Sequence, residues 1–139
     1  MTVPSSPPPP PPQTLVGERY LLAHEHVHLV HAMKRILAAH GADVVTADSV
    51  DAALRTLEAE QGRFSVLLSR AIFCDGTGTD LMRQVRARWP AIHGVVITGF
   101  GLPDEVKSFH AAGFAVHLLS PVTSDKLIAS LEGLRRPPD

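Results

Sequence analysis

The chain has 139 residues, with thirteen Lys and Arg against fourteen Asp and Glu, and one cysteine, Cys74. That length suits one domain with one sizeable core. The near-cancelling charge leaves no basic stripe for nucleic acid, and a lone cysteine excludes an internal disulfide or a multi-cysteine metal site.

No apolar run is long enough to cross a bilayer, and no basic start followed by an apolar stretch marks a secretory signal. A cytoplasmic location is therefore expected, with neither nucleic acid nor membrane as partner. Residues 1–13, with six consecutive prolines, read as polyproline II or disorder, because proline fixes φ and removes a backbone donor. They act as a spacer or, alternatively, as a docking segment for a polyproline-reading domain. The head is placed at 1–16 and the folded domain at 17–136.

From Arg19 onward, short apolar runs alternate with amphipathic segments. Tyr20–Ala23 is the first predicted strand. Leu29, Ala32, Met33, Ile36 and Leu37 form the inner stripe of a first helix, stopped at Gly41. Val44–Ala47 is the second strand. Asp48 or Ser49 caps a second helix whose Val50, Ala53, Leu54 and Leu57 face inward, and Gly62 ends it. Ser65–Ser69 is the third strand. A helix near Thr79–Arg88 buries Leu81, Met82 and Val85. Val95–Thr98 is the fourth strand, followed by a helix over Pro103–Ala112 with proline in its first turn and Gly113 as its stop. Ala115–Leu119 is the fifth strand. The last helix starts near Thr123 or Ser124 and carries Leu127, Ile128, Leu131 and Leu134.

Such alternation predicts an α/β fold: a doubly wound five-stranded parallel sheet covered by helices on both faces, in three layers. Ligands of such sheets bind beyond the carboxyl ends of the strands. A site is therefore expected around residues 23–28, 70–79, 98–103 and 119–122.

Several segments carry a further signal in their order and spacing. They are His40-Gly41, Val44-Val45-Thr46-Ala47, Phe64 to Arg70 followed by Asp75-Gly76-Thr77-Gly78-Thr79-Asp80-Leu81, Ile97-Thr98-Gly99-Phe100-Gly101, Ala111-Ala112-Gly113 and Leu118-Leu119-Ser120-Pro121. Together, over 19–135, they resemble a two-component response-regulator receiver domain of the CheY-like, single-domain type. The resemblance implies a flavodoxin-like sandwich. It also implies two acids after the first strand to hold Mg²⁺, an acceptor Asp ending the third, a Thr or Ser ending the fourth and a Lys before the proline of the last loop. In such domains a histidine kinase supplies the phosphoryl group.

This sequence departs from that pattern. The acid pair falls on His24 and Glu25, the acceptor on Arg70 (or on Ser69 if one residue is inserted), the lysine on Ser120 and the aromatic switch position on His117. One acid of the pair, Glu25, survives, and Thr98 is retained. Without a carboxylate at position 70 no acyl-phosphate forms there, and Mg²⁺, which wants hard oxygen ligands, is not expected beside a permanent guanidinium. Arg70 is expected to stand in for metal and lysine together, paired with Glu25 in a bidentate contact. Left alone in the interior, such a charge would cost on the order of 3–5 kcal/mol. The expectation is a degenerate receiver, not an enzyme and without cofactor. It would act in trans, by contact with a histidine kinase, another regulator or a scaffold, with a homodimer also open to it. The docking candidates are Val106, His110, His117 and Lys126.

Two rival readings stand beside this one. His24, His26, His28 and His31 form a cluster in which His28 and His31 are one helical turn apart, so His24, His28 and His31 are candidate ligands of a metal or small-ligand sensor. Their near-neutral titration also suits pH sensing. Asp75, in Asp-Gly-Thr-Gly-Thr, resembles the phosphoacceptor of P-type ATPases and haloacid dehalogenases, with Thr98 as second hydroxyl; against this, Asp and Gly are ordinary turn formers. The same segment faintly resembles a flavodoxin phosphate loop, displaced to the third strand. Cys74 is placed near the pocket mouth as a small loop residue.

Overall fold

The computed structural model describes residues 14–99 and 101–135. The polyproline run, Phe100 and residues 136–139 lie outside them.

The elements in chain order are β1 (Arg19–Ala23), α1 (Val27–Ala39), β2 (Asp43–Ala47), α2 (Val50–Ala59), β3 (Val66–Arg70), β4 (Ile72–Phe73), β5 (Gly76–Thr77), α3 (Gly78–Arg88), β6 (His93–Thr98), α4 (Pro103–Ala112), β7 (Phe114–Leu119) and α5 (Ser124–Arg135). Five strands pair in parallel in the order β2-β1-β3-β6-β7. This is the predicted doubly wound sheet.

The strands read as continuous apolar runs because both faces are covered. Leu21, Leu67 and Val96 face α2, α3 and α4, in a cluster with Ala53, Leu57, Leu81, Val85 and Phe109. Their neighbours Leu22, Leu68 and Val95 face α1 and α5, with Met33, Leu37, Leu127 and Leu131. Each such large side chain, fully buried, contributes about 1.5–3 kcal/mol.

The caps follow the sequence. Ser49 Oγ accepts the Ala52 N–H at 3.0 Å, and Thr123 Oγ1 accepts that of Lys126 at 3.2 Å. Gly113 ends α4 at φ +117°, in the left-handed region where a Cβ is penalised.

Three expectations need correction. Leu15, assigned to the head, is fully buried in the α1–α5 core, and its N–H donates to the His40 carbonyl at 3.0 Å. Packing therefore starts before residue 17. Ala32 is exposed, because the inner stripe of α1 centres on Met33 and Leu37. The stretch after β3 is an antiparallel hairpin, pairing Ile72 with Thr77 and Phe73 with Gly76, where only a turn was expected.

Candidate functional site

Parallel strands all end on the same edge of the sheet, so β1, β3, β6 and β7 deliver His24, Arg70, Thr98 and Ser120 to one place. All four line a cavity of about 500 Å³, closed on other sides by His26, Leu29, Ala71, Ile72, Ile97 and Gly99. The floor is tied together by the Ser120 N–H, which donates to the Thr98 carbonyl at 2.8 Å.

The pleat sends Arg70 and Ser69 in opposite directions. Successive side chains leave a strand on opposite faces. Ser69 is 1% exposed and its hydroxyl donates to the Arg70 carbonyl at 2.8 Å. Arg70 instead reaches the open edge and the cavity.

Glu25 turns away from this cavity and lines a neighbouring one of about 490 Å³. Its Oε1 accepts the Cys74 N–H at 2.8 Å, and its Oε2 lies 3.4 Å from Cys74 Sγ and 3.5 Å from Arg70 Nη1. The hairpin thus supplies most of what holds Glu25. The backbone hydrogen bond from Cys74, with smaller help from its thiol and from Arg70, keeps the Glu25 carboxyl below the usual range. In return, the hydrogen bond and charge of Glu25 push the Cys74 thiol up, which disfavours its thiolate.

The Arg70–Glu25 pair forms, but not as expected. It is a single contact rather than a bidentate one, with the side chains 34% and 27% exposed. Arg70 keeps solvent, so the penalty of a fully buried charge does not apply, and the contact itself contributes modestly.

His24 is neutral. Burial first, then the charge of Arg70, then His26 lower its pKa from 6.5 to about 4, against the opposing pull of Glu25. Its Nδ1 accepts the His26 N–H at 3.0 Å, which places the ring proton on Nε2.

The other candidates are scattered. His28 and His31 are exposed on α1, and no three His, Cys, Asp or Glu side chains among the described residues are grouped to hold a metal ion. Of these candidates, His31 lines the second cavity with His24 and Glu25, while His28 stands exposed on α1, whose buried side is Met33 and Leu37. Asp75 is engaged elsewhere. Its two oxygens accept the N–H groups of Val50 and Asp51, each at 3.0 Å, at the start of α2, and these bonds lower its pKa. Its role is that of a cap at the positive end of a helix dipole.

On the α4–β7–α5 face, Val106 is half-buried and Lys126 exposed. His110 donates from Nδ1 to the Phe114 carbonyl at 3.0 Å, and His117 stacks on Phe109 with ring centroids 5.7 Å apart. Two apolar side chains here escaped the sequence reading, Leu102 at 61% and Leu119 at 56% exposure. Nothing in an apolar strand run announces that its last residue lies on an uncovered edge.

The family model for the response regulator receiver domain matches residues 20–132. The chain belongs to the response regulator receiver domain family. Among solved structures, the receiver domain protein from Clostridium thermocellum superposes with a TM-score of 0.78 at 21% identity, covering 84% of this chain and 93% of that one. The CheY-like protein from Methanospirillum hungatei JF-1 gives 0.78 at 22%, covering 84% and 93%. The chemotaxis response regulator CheY4 of Vibrio cholerae gives 0.77 at 21%, covering 84% and 98%. No curated protein sequence matches significantly.

A receiver domain is a module of two-component signalling that interacts with kinases and other regulators, generally without enzymatic activity of its own. The strand-end cavity of this receiver domain holds Arg70, the position at which the resemblance expects the acceptor. No helix among the described residues is long and apolar enough to cross a membrane.

Proposed function

We propose that this receiver domain signals by protein–protein contact without phosphotransfer. One observation carries the reading: among the described residues lining the strand-end cavity there is one full charge, the guanidinium of Arg70, and no carboxylate. Acyl-phosphate formation needs a carboxylate nucleophile, and Arg70 has none. Ser69 is buried on the other side of the strand, and Asp75 is occupied at the start of α2.

The residues present do not fit Mg²⁺ either. That ion binds through carboxylates and waters in near-octahedral geometry. Glu25, the one acid retained after β1, is held toward Cys74 and beside a guanidinium. The domain is therefore held in one charge state. In a phosphorylatable receiver the phosphate biases a two-state surface; here, unless another ligand replaces the phosphate, the surface is set by the fold. Val106, His110, His117 and Lys126, with Leu102 and Leu119, are the docking candidates for a histidine kinase, another regulator, a scaffold or a second copy.

The test is binding of each histidine kinase and regulator of the source cell to the immobilised full chain. Affinity for a true partner should be unchanged by Mg²⁺ and acetyl phosphate. It should fall about tenfold when Lys126→Glu and Leu119→Ser are combined. An affinity that depends on the phosphodonor would overturn the proposal.

A further inference from the structure

Arg70 has five N–H donors in a planar fork, a shape that matches carboxylates and phosphates. One of its nitrogens faces Glu25, at a long 3.5 Å. The guanidinium also borders the strand-end cavity, whose described wall contains no acid to oppose it. Ser120 and Thr98 line the same wall, and Leu29, Ile72 and Ile97 give it an apolar side. Ile72 is 68% exposed, a large apolar side chain held in the open by the β4–β5 hairpin at the cavity mouth.

His24 adds no charge near neutral pH, so Arg70 carries the one full charge on the described wall; it is partnered at 3.5 Å by Glu25 of the neighbouring cavity, and a negative group is what its fork would take on this side. At about 500 Å³ the cavity also exceeds what an inorganic anion fills and lies within the range of small-molecule sites.

We propose that the cavity binds a small organic anion, a carboxylate or phosphate ester on an apolar body, without metal and without a covalent bond. The oxyanion pairs with Arg70 and accepts from Ser120, and the body lies against Leu29, Ile72 and Ile97. This inference rests on the reading of the pocket as free of phosphotransfer, and it assigns that pocket a ligand. Such a ligand would act where the phosphate acts in other receivers, at the strand ends that support the β7 face.

The probes are phenyl phosphate, phenylacetate and inorganic phosphate, titrated into the ¹⁵N-labelled full chain in the presence of EDTA. At least one aromatic anion should shift the amides of Ala71, Gly99 and Ser120 saturably, about tenfold or more tighter than inorganic phosphate. The tighter of the two identifies the ester or the carboxylate as the preferred group. Arg70→Gln should weaken binding about tenfold. Ser120→Asp, at an exposed position, should do the same by placing a negative charge in the wall, should Arg70→Gln not fold. Inorganic phosphate binding as tightly as both aromatic anions would overturn the inference. So would binding indifferent to both substitutions, or no saturable shift at about 10 mM of any probe. Covalent phosphorylation by acetyl phosphate would instead strike the proposed function, whereas absent binding with no phosphorylation would strike this inference alone.

Discussion

Replacing Gly78 with alanine is expected to destabilise the domain by about 2–3 kcal/mol. A Cβ at this position would lie 2.3 Å from the Arg70 carbonyl oxygen and 3.1 Å from Ser69 Oγ. The nearer atom is backbone at the end of a central strand, so it cannot rotate out of the way. Relief requires moving the start of α3. That start is held by the Gly78 N–H donating to the Ala71 carbonyl at 2.8 Å and by Thr77 Oγ1 accepting from Asp80 at 3.1 Å. Gly133, in α5 with open space around it, is the control. There alanine is expected to be neutral or stabilising by about 0.5–1 kcal/mol, since only helix propensity changes. Urea unfolding measures both, as a shift in midpoint at constant slope. A Gly78→Ala protein within about 0.5 kcal/mol of the parent would show that the β3–α3 contact is not the fixed hinge described.

Acidification from pH 6.5 to 4 is expected to remove about 1–2 kcal/mol of stability through His24 alone. The folded protein holds this ring neutral, with a pKa lowered from 6.5 to about 4. Above 6.5 neither state is protonated there, and its contribution is fully present. Between 6.5 and 4 the unfolded chain takes up a proton that the fold refuses, so stability falls. Below about 4 both states are protonated and this loss stops. Without solvent screening the difference corresponds to about 3 kcal/mol; the ring borders two open cavities, which justifies the smaller figure. The groups facing it are Arg70 and His26, which oppose protonation, and Glu25, which favours it. Thermal unfolding across this range should show a steeper decline for the parent than for His24→Gln, whose side chain keeps polarity without titrating there. Parallel curves would mean that Arg70 and burial do not act on His24 as described.

The sheet and its helices were legible because each strand is an apolar run and each helix has a stripe. α4 was predicted with its observed bounds, since Pro103 and Gly113 bracket it. What escaped were features without periodicity. Strands of two residues, Ile72–Phe73 and Gly76–Thr77, leave no pattern to read. Leu15 follows a proline run too closely to look like core. The site was legible as a set of positions, and the strand ends bring His24, Arg70, Thr98 and Ser120 to one cavity. Its wiring was not. The hydrogen bonds from Cys74 to Glu25 span 49 residues and depend on the hairpin, so the expected partner of Glu25, Arg70, turned out to be the lesser one. The division of the strand edge into two cavities, with the guanidinium in one and the carboxylate in the other, likewise depends on side-chain directions that spacing does not reveal.

The proposed function leaves the strand ends with nowhere to carry an acyl-phosphate. Intact-mass spectrometry of the full chain after incubation with acetyl phosphate and Mg²⁺ asks this directly. The expected spectrum shows the unmodified mass at every time point. Stoichiometric gain of one phosphoryl group, mapped to any side chain at the strand ends, would contradict it.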